Sequence, residues 1–334
     1  MARHDLSSPH PSASAPETSV SGATFMKQDE LKKMNKKLSW QGRIVKLILR
    51  RIIKRLFKQG LPADELRARL TQTSGLTRFL FKSKNRPKAS TINGVKAEWC
   101  GNPECEKTIL YLHGGAYVFG GPSSHRGLVR GLCKATNTRA LIVDYRLAPE
   151  HPFPAALDDA LACYEALLAD NIAPNQIIIA GDSAGGGLSA ALMLKLRDDN
   201  KPLPAAGVLL SPWTDLTGSG DSVVTREPIE DMLYGPMVKQ AGRFYTADTP
   251  ADHPYISPLF ADLKDLPPLL IHVGTDEILF DDATRFHDKA QAAGVDTRLE
   301  TFYRMPHVFH MFHEVLPEAR LALRDIGDFV QKLP

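Results

Sequence analysis

Short apolar runs alternate with helical segments through most of the chain after residue 87. Five runs read as strands, at Thr108–Leu112, Ala140–Val143, Ile177–Ala180, Val208–Leu210 and Leu269–Val273, and Thr297–Tyr303 is expected to be a sixth. Between them, helical patterns occupy Ala155–Asp170, Ala184–Arg197 and Asp282–Ala293. Brief β-branched or leucine-rich runs are typical of parallel strands covered on both faces. The alternation therefore predicts an α/β fold, with a mostly parallel central sheet flanked by helices.

The rest of the chain departs from this alternation in three places. Residues 1–24 carry few large apolar groups, so we expect a disordered tail. Residues 25–86 are expected to form N-terminal helices that cap the main domain, residues 87–334. The segment 217–255 contains scattered Pro, Gly and aromatic residues, and we interpret it as an insertion that contributes to the cap.

One segment of the expected cap is strongly basic. Met26–Lys58 contains twelve Lys or Arg and two acidic residues, while the whole chain has a net charge of only +3. Apolar residues recur at helical spacing from Ile44 to Phe57, with lysines and arginines assigned to the other side. Attachment of residues 44–58 to an anionic membrane surface or to a lipid substrate aggregate is one interpretation. The one we favour is a cap helix whose apolar face packs on the protein and whose basic face is solvated.

Composition narrows the class of protein without identifying it. The 334 residues are 43% hydrophobic and 24% charged, as in ordinary globular proteins. A net charge of +3 gives no support for nucleic-acid binding. Residues 1–21 lack the apolar core of a signal peptide and no run approaches the length of a membrane span, so a cytoplasmic protein is expected. The four cysteines are too few for a disulfide framework, which favours free thiols.

The hexapeptide Gly181–Gly186 places Ser183 between an apolar strand and a helix. Glycines two residues before and two residues after the serine suit a sharp turn where the strand and helix backbones come too close for a Cβ atom. The N–H of Ala184 then lies at a helix N-terminus, where it can stabilise a developing oxyanion. The pattern predicts a nucleophilic serine.

A serine nucleophile needs a base, and the base needs a carboxylate to orient it. After the strand Leu269–Val273, Asp276 comes first at the carboxyl end, and Glu277 is its nearest competitor. After the next strand, His307 directly follows Pro306 in a loop. We expect Asp276 to be the acid and His307 the base. His310 and His313 add a histidine cluster that could suggest a metal, but the loop position of His307 disfavours it, and no metal is expected.

A glycine-rich loop follows the strand Thr108–Leu112, beginning His113-Gly114-Gly115-Ala116. Adjacent glycines allow backbone N–H groups to point into a cavity, as in an oxyanion hole. The alternatives are a plain tight turn or a phosphate loop, but the glycine spacing of a phosphate loop is lacking. His113 is expected to anchor the loop as a structural support.

With these pieces in order, the chain resembles the hormone-sensitive lipase family of α/β-hydrolases, also called bacterial family IV esterases. The resemblance covers residues 88–332 and rests on His113–Ala116, Asp144–Glu150, Phe153–Ala156, Gly181–Gly186, Ser211-Pro212, Asp276 and His307. It implies an α/β-hydrolase fold with an N-terminal helical cap, Ser183 as nucleophile, His307 as base and Asp276 as acid. It also implies Gly114, Gly115 and Ala184 as oxyanion donors. The family's loop has a third glycine where this chain has Ala116, which favours Gly114 and Gly115 over Ala116.

The resulting hypothesis is a serine carboxylesterase that hydrolyses short- to medium-chain acyl esters through an acyl-enzyme on Ser183. It requires a small-molecule ester and no metal or organic cofactor. The alternatives are an amidase or peptidase with the same triad, or a noncatalytic small-molecule receptor on the same fold. The resemblance also allows a homodimer, and the basic residues 44–58 allow a weak membrane-surface contact.

Overall fold

The computed structural model describes residues 37–70 and 88–334, so the expected tail and much of the expected cap lie outside the described residues. The first described helix is α1 (Trp40–Phe57), and residues 63–70 are also helical. The division of the chain into tail, cap and main domain stays a prediction.

An eight-stranded sheet forms the centre of the described structure. Its strands are β1 (Lys88–Ile92), β2 (Val95–Gly101), β3 (Thr108–Leu112), β4 (Arg139–Val143), β5 (Ile177–Asp182), β6 (Ala206–Leu210), β7 (Leu269–Gly274) and β8 (Thr297–Phe302). They lie in the order β1-β2-β4-β3-β5-β6-β7-β8. The pairings of β2 with β1 and β4 are antiparallel, and all the others are parallel.

Helices cover both faces of the sheet, and the strand residues alternate between two cores. Leu110 and Ile179 pack in one core with α3 (Ala155–Ala169), α4 (Ala184–Asp198) and α7 (Phe280–Ala292). Ile109 and Ile178 pack in the other, with α2 (Pro122–Thr136) and α8 (Pro317–Gln331). Every residue of β3, β5, β6 and β7 is buried, as expected of strands covered on both sides.

The predicted α/β fold is confirmed, and the six predicted strands agree with the observed ones to within two residues at each end. The sequence patterns did not predict the β1–β2 hairpin, α2 or α8. Between β6 and β7 lie two further helices, α5 (Ser222–Thr225) and α6 (Gly235–Thr246), within the segment interpreted as an insertion.

Helix α1 is present, but the orientation expected for it is wrong. Ile44, Ile48 and Ile52 are exposed, whereas Lys46 and Lys54 are buried. The side that faces the protein carries Val45 and Leu49, which pack with β8, the His307 loop and α8. The partners in this cluster are Phe302, Met305, Phe309, Leu316, Ala319 and Ala322. Phe57 packs in the core that contains Leu110 and Ile179. The helix therefore buries cations and displays part of its apolar surface.

The start of α1 is fixed to the C-terminal helix. Ser39 accepts a hydrogen bond from the N–H of Gly42 (3.0 Å) and caps the helix. Its own N–H and hydroxyl donate to the carboxylate of Glu318 in α8 (2.7 and 2.9 Å). Among the helices described, none is both long and apolar enough to cross a membrane.

Candidate active site

Ser183 lies on the sharp turn between β5 and α4. Its backbone dihedral angles, φ 54° and ψ −122°, are those of a strained residue. A Cβ atom on Gly185 would lie 2.0 Å from the carbonyl oxygen of Leu112, and one on Gly181 would lie 2.3 Å from that of Gly185. Both positions therefore require glycine, for the close-approach reason inferred from the sequence.

Ser183 and His307 are brought together, although 124 positions separate them in the chain. The imidazole Nε2 lies 2.9 Å from the hydroxyl Oγ, and both residues are buried. On the other side of the ring, Nδ1 lies 2.7 Å from Oε2 of Glu277. With Nδ1 protonated and donating to the carboxylate, Nε2 is free to accept the proton of the serine hydroxyl.

The expectation that Asp276 orients His307 is wrong, because Glu277 makes that hydrogen bond. The side chain of Asp276 instead pairs with Nζ of Lys46 in α1. Lys46 is also 2.8 Å from Asp231 and donates to the carbonyl oxygen of Arg304 (3.0 Å). The turn after β7 directs the two neighbouring carboxylates to different partners, and the first pairs with a lysine of α1.

Glu277 is held in place by groups from two strand ends. Its Oε1 accepts hydrogen bonds from the N–H of Gly274 (2.5 Å) and the hydroxyl of Ser211 (2.8 Å). The same Ser211 oxygen accepts the N–H of Val308, the residue after the histidine (3.2 Å). Ser211 thus connects the loop of the carboxylate to the loop of the imidazole. The sequence showed this serine only as part of a Ser-Pro motif.

The surroundings of His307 shift its pKa in opposing directions. Burial lowers the pKa, but the hydrogen bond and the charge of Glu277 outweigh burial and raise it above 6.5. Glu230, a second buried carboxyl group, also raises it. Glu230 itself has a raised pKa because of burial, and it accepts backbone N–H groups from Met232 and Ile278.

The glycine-rich loop lies beside the start of α4, but Gly114 is wrongly expected to be an oxyanion donor. Its N–H donates to Oδ1 of Asp182 at 3.0 Å, so it is already used within the protein. In the described part of the chain, no acceptor takes the N–H of Gly115, Ala116 or Ala184. Ala116 occupies the left-handed region, with φ 52°, so the methyl group that replaces the family's glycine does not prevent this conformation.

Asp182 was not predicted as a site residue, yet its carboxylate holds the glycine-rich loop in place. Besides the N–H of Gly114, its carboxylate accepts the hydroxyl of Tyr111 (2.7 Å) and lies 3.3 Å from Nε2 of His125. Burial alone raises the pKa of Asp182, but His125, Tyr111 and the N–H of Gly114 outweigh it and lower the pKa to about 2. An acidic residue at the buried end of an apolar strand was the signal available in the sequence.

His113 anchors the loop by packing and by its own backbone. Its ring stacks on Tyr145 with 4.1 Å between ring centres, and Nδ1 lies 2.8 Å from the carbonyl oxygen of Gly114. The hydroxyl of Tyr145 donates to the carbonyl oxygen of His113 (2.6 Å). Burial, together with the neighbouring His125, lowers the pKa of His113 to about 3, so the ring is neutral at physiological pH.

Near these groups lies a cavity of about 880 Å³, although neither Ser183 nor His307 is among the residues that line it. Trp213, one of its lining residues, donates its backbone N–H to the carbonyl oxygen of Ser183 (2.9 Å). Ile278 and Leu279, directly after Glu277, also line it. The remaining apolar lining comes mainly from the segment between β6 and β7, and it includes Leu216, Val223, Tyr234 and Val238. Helix α1 contributes the cations Arg50 and Lys54 to the lining.

The chain is similar to known α/β-hydrolases in sequence and in structure. Residues 109–311 match the family model described as the alpha/beta hydrolase fold. An acetyl-hydrolase from Streptomyces hygroscopicus is 43% identical over 72% of this chain and 81% of its own length. An esterase from Acinetobacter venetianus is 41% identical over 67% of this chain and 75% of its own length. A solved esterase of the bacterial hormone-sensitive lipase family is 39% identical, with a TM-score of 0.82 over 88% of this chain and 98% of that structure.

The fold, the strand-to-helix serine and the family match together place the chain in the α/β-hydrolase family. Within that family, its relatives and structural neighbours are esterases of the hormone-sensitive lipase group, as the sequence motifs had indicated. The protein is a carboxylic ester hydrolase of this group.

The buried carboxylate of Asp182 supports a prediction about stability. Asp182→Asn should lower the free energy of unfolding at pH 7 by about 3–5 kcal/mol, because it leaves His125 without its charged partner. In the wild type this contribution is present above the unfolded pKa of 3.8 and is lost as the pH falls through about 2. Urea unfolding at pH 7 and at lower pH measures both effects.

Asp199→Asn provides the matched control. Asp199 forms a partly exposed ion pair with Lys195, one helical turn away, so its loss should change stability by no more than about 1 kcal/mol. Equal destabilisation by the two substitutions would contradict the role assigned to Asp182.

Proposed function

We propose that the protein hydrolyses short- to medium-chain acyl esters through a covalent acyl-enzyme on Ser183. The observation that carries this proposal is the continuous hydrogen-bonded chain from Ser183 through His307 to Glu277, with distances of 2.9 and 2.7 Å. These are the distances required for proton transfer from a nucleophile to a base that is itself oriented by a carboxylate.

Acylation begins when the Oγ of Ser183 attacks the ester carbonyl carbon while Nε2 of His307 accepts the hydroxyl proton. The imidazolium that forms is stabilised by the negative charge of Glu277, which lies 2.7 Å from Nδ1 and is fully buried. His307 then returns the proton to the leaving alcohol oxygen as the carbon–oxygen bond breaks. A water molecule activated by His307 attacks the acyl-enzyme and releases the carboxylic acid.

The negative charge on the tetrahedral intermediate requires hydrogen-bond donors that are otherwise unused. The N–H groups of Gly115, Ala116 and Ala184 meet this condition among the described residues, whereas that of Gly114 does not. Gly115 and Ala116 belong to the loop that Asp182 and Tyr145 fix, and Ala184 begins α4. We therefore assign the oxyanion hole to Gly115, Ala116 and Ala184, at the positive end of the helix dipole.

The adjoining cavity supports a preference for acyl groups longer than acetyl. Its volume of about 880 Å³ lies within the range of small-molecule binding sites. Trp213, Leu216, Val238, Ile278 and Leu279 give it apolar walls. Each methylene buried there contributes at most about 0.8 kcal/mol, equivalent to about fourfold in kcat/KM.

Removal of the nucleophile tests the acyl-enzyme mechanism. Ser183→Ala should lower kcat for a chromogenic butanoyl ester by about 10⁴-fold or more while the protein remains folded. Ser189→Ala is the matched control, because Ser189 is buried in α4, the helix that follows Ser183. Its hydroxyl donates only to the carbonyl oxygen of Gly185 (2.7 Å). Its turnover should stay close to that of the wild type. Wild-type turnover by Ser183→Ala would refute the mechanism.

The same protein samples distinguish the two alternative functions. A serine-reactive phosphonate should label the wild type and leave Ser183→Ala unlabelled, whereas a noncatalytic receptor would turn over no ester at all. An amidase or peptidase would cleave an acyl anilide as readily as the matching ester.

The choice between the two neighbouring carboxylates is tested by the pH dependence of kcat/KM. Because His307 must be neutral to accept the proton and its pKa is raised, activity should fall as the pH drops, with a midpoint above 6.5. Glu277→Gln removes the two largest of the interactions that raise this pKa, so the midpoint should move to lower pH and kcat should fall by about 10⁴-fold. Asp276→Asn should leave the midpoint in place and cost less kcat. The reverse ranking would restore Asp276 as the acid.

A series of acyl esters from acetyl to palmitoyl tests the assigned cavity. We expect kcat/KM to rise from acetyl to the medium-chain esters and to fall for palmitoyl. Val238→Trp, which fills the cavity, should remove the advantage of the medium chains while leaving acetyl-ester hydrolysis largely intact. Val315→Trp adds the same bulk at a residue that is 41% exposed and should leave the profile unchanged. An unchanged profile in Val238→Trp would exclude this cavity as the acyl site.

A further inference from the structure

The outward side of α1 is unusually apolar for a solvent-facing helix surface. Trp40, Ile44, Leu47, Ile48 and Ile52 are between 47% and 68% exposed. These five account for half of the large hydrophobic side chains that are exposed in the described residues. Single exposed hydrophobics are ordinary, but five on one side of one helix form a contiguous patch of the kind that marks an interaction surface. We call these five residues the apolar face of α1.

Arginines lie among the residues of the apolar face. Arg43, Arg51 and Arg55 are exposed, and no carboxylate of the described residues pairs with them. The helix contains no acidic residue. The outward side of α1 therefore combines apolar bulk with unpaired positive charge.

Inward contacts of other cations fix the rotation of the helix. Lys46 pairs with Asp231 and Asp276, and Lys54 donates to the carbonyl oxygens of Glu227 and Glu230 (both 2.9 Å). Turning the apolar face inward would pull both lysines away from these partners. A buried cation that loses its partners strongly destabilises a protein, so the apolar face remains outward.

Helix α1 also contributes to the wall of the cavity. Arg50 and Lys54 of α1 line the cavity, and Arg50 donates to the carbonyl oxygen of Ile229 (3.3 Å). Ile229 is 44% exposed, and Val224, which lines the cavity, is 77% exposed. The helix that carries the apolar face therefore also forms part of the wall of the proposed acyl site.

We propose that the apolar face of α1 docks on an anionic phospholipid surface. Its tryptophan, leucine and isoleucines would enter the boundary between headgroups and acyl chains, with Arg43, Arg51 and Arg55 on the lipid phosphates. Charge complementarity favours lipid over a second copy of the chain. In a two-fold symmetric dimer this patch would meet itself, and three unpaired arginines would face three others with no acidic residue of α1 between them.

Vesicle sedimentation of the full chain tests the proposal. The protein should sediment with vesicles of phosphatidylglycerol and phosphatidylcholine about tenfold or more better than with pure phosphatidylcholine, and added salt should weaken the binding. The combined variant Ile44→Ser, Ile48→Ser, Ile52→Ser should lose most of this binding. So should Arg51→Gln with Arg55→Gln. Both variants should keep wild-type turnover of a soluble ester, because none of these side chains belongs to the active site.

Phe260→Ser with Val315→Ser is the matched control, since it removes two exposed apolar side chains that lie outside α1. It should bind vesicles like the wild type. Residues 1–36 are present in every variant, so any contribution from them cancels. The proposal is overturned if the intact chain ignores anionic vesicles, binds neutral vesicles equally well, or binds unchanged in the isoleucine variant. A fall from dimer to monomer mass in that variant would instead identify the apolar face as a contact between two copies.

Discussion

The active site depends on how closely the backbones of β5 and α4 approach each other around Ser183. Hypothetical Cβ atoms on Gly181 and Gly185 would lie 2.3 and 2.0 Å from backbone carbonyl oxygens, which only glycine avoids. The strained backbone of Ser183 costs about 1–3 kcal/mol and persists because its own N–H and carbonyl are bonded to Leu210 and Trp213. This turn fixes the nucleophile, and the imidazole and the glycine-rich loop are positioned relative to it.

Two buried carboxylates position the other groups of the site around Ser183. Asp182, directly before the nucleophile, holds the loop through the N–H of Gly114, while Glu277 holds the imidazole of His307. Burial of a charge requires polar partners, and both oxygens of each carboxylate have them. Asp182 accepts from Tyr111 and Gly114 and lies beside His125, and Glu277 contacts Ser211, Gly274 and His307. The rigidity of the site therefore comes from polar groups that are themselves outside the reacting atoms.

The sequence predicts features that depend on local pattern, such as strands and turns. It does not predict which partner a group takes when that partner is distant in the chain. The predicted bounds of strand β3 match the observed ones at both ends. The loop positions of Ser183 and His307, inferred from the order of strands and helices, agree with the hydrogen bond between their side chains. The choice of Asp276 over Glu277 failed because Lys46, 230 positions away, pairs with the aspartate. Gly114 failed as a donor for a similar reason: nothing in the loop's own sequence shows that a neighbouring carboxylate takes its N–H.

The buried side of helix α1 is likewise decided by residues that are distant in the chain. Its sequence has apolar residues on nearly every side, so periodicity alone could not decide which side is buried. The choice is made by acidic partners on other elements: Asp231 and Asp276 draw Lys46 inward, and the helix rotates with it. One buried lysine thus has two consequences. It removes Asp276 from the catalytic chain, leaving His307 to Glu277, and it turns the isoleucines of α1 towards the outside.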